Sequence, residues 1–265
     1  MRPERGWDRW LWKVVRGVLI LACAGLPARA DADRAMVDLE LVLAVDVSGS
    51  MSVAELLVQR QGYVAALRHP DVAAALAIRG GVALAYVEWA GSNDQRVVVP
   101  WTVVADGAAA ARFAGRLAAA SLRPGFNSPA WMTGTSISHA LLFAAGMFNN
   151  SLSSRVIDIS GNGPNNTGGS LALVRDWVVA QGITVNGLSM AEHGGDFPIA
   201  DYYENCVIGG QGAFALSVDE PEAFASTLRR KMVLEIATSL PWFTLAGWET
   251  PLAPPIDCAS SEAAH

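Results

Sequence analysis

Histidine and cysteine are scarce in this 265-residue chain, with four and three copies respectively. The histidines (His69, His139, His193 and His265) fall in no H-E-x-x-H or other zinc spacing, which removes the common zinc-hydrolase motifs. There is no G-x-S-x-G elbow, and no base stands beside Ser48 or Ser50 in the sequence, so serine nucleophile chemistry has no support. Gly161-Asn-Gly-Pro-Asn-Asn166 imitates the start of a dinucleotide loop but lacks the third glycine and lies far from the first strand. Charged residues make up only 17% against 52% hydrophobic. That ratio excludes a disordered chain and argues against a coiled coil. There is no internal repeat, low-complexity tract or interdomain linker before Pro241.

The formal charge of −6 hides a split. Residues 1–30 carry Arg2, Arg5, Arg9, Lys13, Arg16 and Arg29 against Glu4 and Asp8, which leaves 13 basic and 23 acidic groups in the remainder. A surface that acidic repels phosphate backbones and anionic lipid, so nucleic acid is not an expected partner. The basic start precedes an apolar run, Gly17–Leu26, and then Ala28-Arg29-Ala30. Together these form a secretory signal peptide over residues 1–30, with cleavage after Ala30. The run is about half the length needed to cross a bilayer. An uncleaved anchor, or a lipoprotein cysteine at Cys23, is the alternative. No other segment is long and apolar enough to span, so the mature chain is expected to be exported, periplasmic or extracellular, with no membrane insertion.

Export changes the meaning of the cysteines. Cys23 leaves with the signal, and Cys206 and Cys258 remain as an even pair. In an oxidising compartment such a pair reads as a disulfide, with two free thiols as the alternative. The bridge would stabilise by roughly 4 kcal/mol and tie down the Pro-rich tail, residues 241–265, which holds Pro241, Pro251, Pro254 and Pro255.

Between them, residues 31–240 read as one α/β domain. Strands are predicted over Val37–Val45, Gly81–Trp89, Arg96–Val104, Arg155–Ile159, Ile183–Leu188 and Gly212–Val218, with the second and third forming a hairpin. Helices are predicted over Val53–Leu67, Ala108–Ala120, Ser136 to Asn149 or Asn150, Ser170–Gln181 and onward from Pro221. In the last, Phe224, Leu228, Met232 and Ile236 recur every four residues. In the first helix Leu56, Leu57, Tyr63, Val64 and Leu67 fall near one face. Strands alternating with helices imply one doubly wound, Rossmann-like, mostly parallel sheet covered on both faces. Trp242, Phe243 and Trp248 are read as packing against the body.

In such sheets ligands bind outside the carboxyl ends of the strands. The first strand ends in Asp46-Val-Ser-Gly-Ser50, a D-x-S-x-S turn that presents a carboxylate and two hydroxyls to one point. Such hard oxygens suit Mg²⁺, Mn²⁺ or Ca²⁺; the same serines could instead cap the next helix. Thr135, in Thr133-Gly-Thr-Ser136, precedes a helix and adds a hydroxyl. Asn162, in Ser160-Gly-Asn-Gly163, follows a strand and adds a polar group. Asp158 and Ser160 share one face of that strand and are candidates to stand behind these ligands. Asp158 could instead be a buried acid held by loop amides. His139 is read as a surface or groove residue, and Gly194-Gly-Asp196 and Glu204 as solvated loop.

The D-x-S-x-S turn, the T-G-T-S loop and the third polar loop resemble von Willebrand factor A domains. The wider text, including Gln59-Arg-Gln-Gly-Tyr63, Val87-Glu-Trp89, Val156-Ile-Asp-Ile-Ser-Gly161 and Asp201-Tyr-Tyr203, resembles an uncharacterised family of bacterial exported proteins, domain of unknown function 1194. The resemblance covers Val37 to about Ala237. It implies a central sheet with a divalent cation at its top, in a metal-ion-dependent adhesion site. There two serines and a threonine bind the metal directly or through water, acids orient waters, and an open position receives a partner's carboxylate. The family pattern has Asp in the third loop where this chain has Asn162, which leaves Asp46 as the only anion at the matched positions and weakens attraction for metal.

Three functions fit. The preferred one is a non-enzymatic binding module engaging Asp or Glu on a protein partner through the cation. A second is a Mg²⁺-dependent phosphotransferase or hydrolase with Asp46 as nucleophile, although Ser48 stands where such enzymes place a second acid. A third is an interaction domain that no longer binds metal.

Overall fold

The computed structural model describes residues 37–122, 134–149, 152–191, 197–238 and 256–263. The expected signal peptide, Cys23, Thr133, the Gly194–Asp196 loop, the tail prolines and Trp242, Phe243 and Trp248 lie outside them.

Six strands form one sheet: β1 (Leu39–Asp46), β2 (Val82–Trp89), β3 (Gln95–Val104), β4 (Ser154–Gly161), β5 (Ile183–Met190) and β6 (Ala215–Val218). Their spatial order is β3-β2-β1-β4-β5-β6. β2 and β3 are antiparallel and the other neighbouring pairs parallel. All eight residues of β1 are buried, because helices cover both faces and the central strand has no solvated side. β3 is an outer edge; it carries Pro100, and its register against β2 slips between Leu84 and Val87. The opposite edge, β6, has four residues.

One face of the sheet is covered by α1 (Val53–Leu67), α2 (Pro70–Arg79), α3 (Gly107–Ala119) and α7 (Phe224–Thr238), numbered here in chain order. Leu39, Leu41, Leu43 and Val45 of β1 meet Tyr63, Leu76, Phe113, Leu228 and Met232 on this side. Tyr63 and Tyr86 add an edge-to-face ring contact at 5.3 Å, worth about 1 kcal/mol beyond area burial. The other face is covered by α4 (Ile137–Ala145), α5 (Leu171–Ala180) and α6 (Ile199–Tyr202), which runs into a π-helical turn, Tyr203–Val207. A final helix, α8 (Cys258–Ala263), is joined to that turn by the Cys206–Cys258 disulfide, with Cα atoms 5.6 Å apart.

The doubly wound arrangement is the one the sequence predicts. The helix from Pro221 begins as a 3-10 turn before α7, and Phe224, Leu228, Met232 and Ile236 are all buried. Gly182 adopts φ +74° after α5, the left-handed position that lets the chain turn directly into β5. Leu57 departs from expectation: it is exposed, because the packed stripe of α1 runs through Leu56, Gln59, Tyr63 and Leu67. The fourth helix stops at Ala145, short of Asn149, with turns at Met147 and Phe148. Three elements are additional to the expected set, α2, the Ile199–Val207 segment and α8, and the second takes Glu204 out of loop structure.

Candidate metal centre

β1 ends at Asp46, and the chain turns sharply through Ser48, with Met51 N–H donating to the Ser48 carbonyl at 3.1 Å. Asp46 fixes that turn itself: its Oδ1 accepts from Ser48 N–H at 2.7 Å. From α1, Gln59 Nε2 donates to the Asp46 carbonyl at 2.8 Å. The helix that supplies Gln59 starts at Ser52 with a reciprocal capping box, Ser52 Oγ to Glu55 N–H and Glu55 Oε2 to Ser52 N–H. The capping reading therefore belongs to Ser52, and Ser48 and Ser50 are left to the loop.

The second loop reaches the same point from α4. Ser136 N–H donates to the Ala90 carbonyl at 2.9 Å, tying it to the end of β2. The third loop clasps it: Asn166 Oδ1 accepts from Thr135 N–H at 2.8 Å, and Asn166 N–H donates to the Thr135 carbonyl at 2.9 Å. Asn165 Oδ1 accepts from Ser138 N–H at 3.0 Å and so satisfies the first turn of α4.

The side chains then form one continuous line of oxygens. Thr135 Oγ1 donates to Ser48 Oγ at 3.1 Å, Ser48 Oγ lies 3.1 Å from Ser50 Oγ, and Ser50 Oγ donates to Asn162 Oδ1 at 2.8 Å. Asp46, Ser48, Thr135 and Asn162 are buried, whereas Ser50 is exposed and opens the cluster to solvent. Beneath it, Asp46 Oδ2 and Asn162 Nδ2 are buried with no hydrogen-bond partner among the described residues. Burial pushes the Asp46 carboxyl up to about 7, against hydrogen bonds from Ser48 and from the backbone N–H of Asn162 that lower it.

This donor set fits a small hard cation. Adjacent ligands of an octahedron with bonds near 2.1 Å lie roughly 3.0 Å apart, and Ser48 Oγ has two hydroxyl neighbours at 3.1 Å. An unpartnered buried carboxylate oxygen supplies the charge. No group of three or more His, Cys, Asp or Glu able to hold a metal occurs among the described residues.

Asp158 and Ser160 do not join this cluster. They lie on the face of β4 that meets α1 and α7, where Asp158 pairs with Lys231 at 2.7 Å and Ser160 Oγ accepts from Tyr63 at 3.3 Å. Loop amides do not hold Asp158; a lysine does. His139 approaches Ser136 Oγ through Nδ1 at 2.9 Å and makes no contact with the oxygen line.

Gln59, Asn165, Asn166 and Tyr203 support the site without being foreseen. A Cβ added at Gly161 would stand 2.7 Å from Tyr203 Oη and 2.8 Å from Asp46 Oδ2. Glycine is therefore required there, and the tyrosine hydroxyl and the carboxylate crowd the same space. The asparagines were visible in the Gly163-Pro-Asn-Asn166 stretch as residues suited to bonding loop backbone; Tyr203 carried no local signal.

The fold is that of von Willebrand factor A domains. A von Willebrand factor type A protein from Catenulispora acidiphila superposes with a TM-score of 0.52 at 16% identity, over 76% of this chain and 43% of that one. The pilus adhesin SpaC from Lactobacillus rhamnosus GG gives 0.55 at 14% identity, over 76% and 30%. Proximal thread matrix protein 1 from the mussel byssus, with a zinc-occupied MIDAS motif, gives 0.50 at 13% identity, over 75% and 46%. The chain spans less than half the length of each of these proteins. The family described as protein of unknown function (DUF1194) matches residues 36–240, and the chain belongs to it. No match was found among curated proteins.

Proposed function

We propose that this protein is an exported binding module whose divalent cation, Mg²⁺ or else Mn²⁺ or Ca²⁺, engages a carboxylate of a protein partner. Ser48, Ser50 and Thr135 would hold the ion, with Asp46 and Asn162 beside them. A cation held largely by neutral hydroxyls keeps much of its positive charge and is completed by an outside Asp or Glu. The observation that carries this reading is the position of Ser48 Oγ, 3.1 Å from both Ser50 Oγ and Thr135 Oγ1.

The basic start of the chain supports export, and the acidic remainder speaks against nucleic acid. No helix among the described residues is long and apolar enough to cross a membrane. Enzyme chemistry gains no support: Asp46 Oδ1 accepts from the Ser48 amide, and the imidazole of His139 stands on Ser136 and not on Ser48 or Ser50.

A second reading, an interaction domain without metal, draws on the Ser50–Asn162 hydrogen bond, which lets the hydroxyl line satisfy itself. Thermal unfolding with Mg²⁺ against EDTA separates the two, since a bound ion raises the midpoint. Retention of an extracellular protein by the immobilised chain in Mg²⁺ but not EDTA is the expected result for the first. Equal retention in both supports the second.

A further inference from the structure

On the opposite face of β4, away from the oxygen cluster, three ionisable side chains are buried together. Lys231 of α7 is fully buried, and its Nζ stands 2.7 Å from Asp158 Oδ1 and 2.6 Å from Glu235 Oε1, one helical turn on. Asn186 of β5 donates from Nδ2 to Glu235 Oε2 at 2.7 Å. The Phe214 ring centroid lies 5.0 Å from the amine. From α1, Tyr63 faces Asp158 and Glu235, its hydroxyl engaged with Ser160.

A buried ion pair offsets its desolvation only with good hydrogen-bond geometry. The Lys231–Asp158 contact is close without it: neither Asp158 oxygen has a well-aligned hydrogen-bond partner among the described residues. The amine is held against the carboxyl group. A second carboxyl group sits on the same amine, and all three groups are buried from bulk solvent.

We propose that Lys231 Nζ and Asp158 Cγ join in an intramolecular amide bond, with Glu235 as the proton relay. Burial pushes the Asp158 carboxyl up, and it pushes Glu235 up to about 7, so both can hold a proton. Burial alone lowers Lys231, but the facing acids outweigh it and hold the ammonium. The free amine therefore arises inside the pair, by passing a proton from Lys231 to Asp158. The nitrogen lone pair then attacks Cγ of the neutral acid. Protonated Glu235 gives its proton to the departing hydroxyl and takes one from the new nitrogen. The carboxyl C–O bond breaks, a C–N bond forms, one water leaves, and Glu235 ends as it began. No oxidant or cofactor is needed, and burial shields the product from bulk water. The bond would fasten α7 to the centre of the sheet by a link insensitive to reductant, unlike Cys206–Cys258.

The test is peptide mass spectrometry of the wild-type protein, reduced, alkylated and digested. The peptides containing Asp158 and Lys231 are expected as one branched species, lighter than their sum by one water, about 18 Da. Two separate linear peptides overturn the proposal. So does a branched species lighter by ammonia, which would place the bond at Asn186. Glu235→Gln preserves size and is expected to leave the peptides unlinked; a full yield of branched peptide from that variant removes Glu235 from the chemistry. Lys231→Met must give linear peptides. The readout on wild-type protein does not depend on whether any variant folds.

Discussion

Thr135 donates its hydroxyl hydrogen to Ser48 Oγ across 3.1 Å, joining two loops 87 positions apart in sequence. Neither hydroxyl is needed to shape its own loop, because backbone and Asn166 contacts do that. Thr135→Val should therefore cost the metal-free protein only about 1 kcal/mol while abolishing the rise in melting temperature that Mg²⁺ produces. Scanning calorimetry of both proteins in Mg²⁺ and in EDTA checks this. An undiminished Mg²⁺ shift in the variant would remove Thr135 from the site.

Asn162 accepts from Ser50 and keeps a buried, unpartnered Nδ2. Asn162→Asp adds a second negative charge beside Asp46. Without metal the two acids repel and the melting temperature should fall. With Mg²⁺ the added attraction, roughly 1–4 kcal/mol at contact distance, should tighten binding about fivefold or more. Isothermal titration of the two proteins gives the comparison, and no gain in affinity would count against this placement.

Acidity should act on the site in a defined direction. Burial raises the Asp46 carboxyl from 3.8 to about 7, so the folded state binds that proton more tightly than the unfolded chain. The metal-free protein should lose stability as pH rises from about 4 to 7, by roughly 4 kcal/mol at most. Ligation needs the ionised form, so apparent Mg²⁺ affinity should fall about tenfold per pH unit below 7. Denaturant unfolding at pH 5 and pH 8 should show this Asp46 contribution in the wild type and lose it in Asp46→Asn.

The disulfide closes a loop of 52 positions and holds α8 against the π-helical turn. Replacing Cys206 and Cys258 by Ser should cost roughly 2–4 kcal/mol, a drop in melting temperature of about 5–15 °C for a chain of this size. Thermal unfolding with and without reductant reads it: reductant should lower the wild type toward the double variant and leave that variant unchanged.

Periodicity and punctuation made most of the sheet and helix order legible. The buried run of β1, the four-residue spacing from Phe224 to Ile236, and Gly182 each carry a local physical signal that survives into the fold. α2 was equally available, since Pro70 opens it and Gly80 closes it at φ +85°, but its alanine-rich text muted the apolar stripe. The oxygen line was legible because each loop follows or precedes a regular element. Asp158 was misplaced because a strand shows which face a residue shares, not what lies opposite. Its partner, Lys231, sits in Arg229-Arg-Lys231 and reads locally as a solvated run. Only tertiary packing turns one of those three cations inward.

The two margins of the sheet have a consequence for self-association. β3 bears a proline and a slipped register, and β6 is four residues short of a full-length strand such as β1. Margins of that kind give an incoming segment little backbone to zip against. Copies of this protein should not grow side by side into fibrils by continuing the sheet; under the proposed function, attachment would fall to the loop-bearing end.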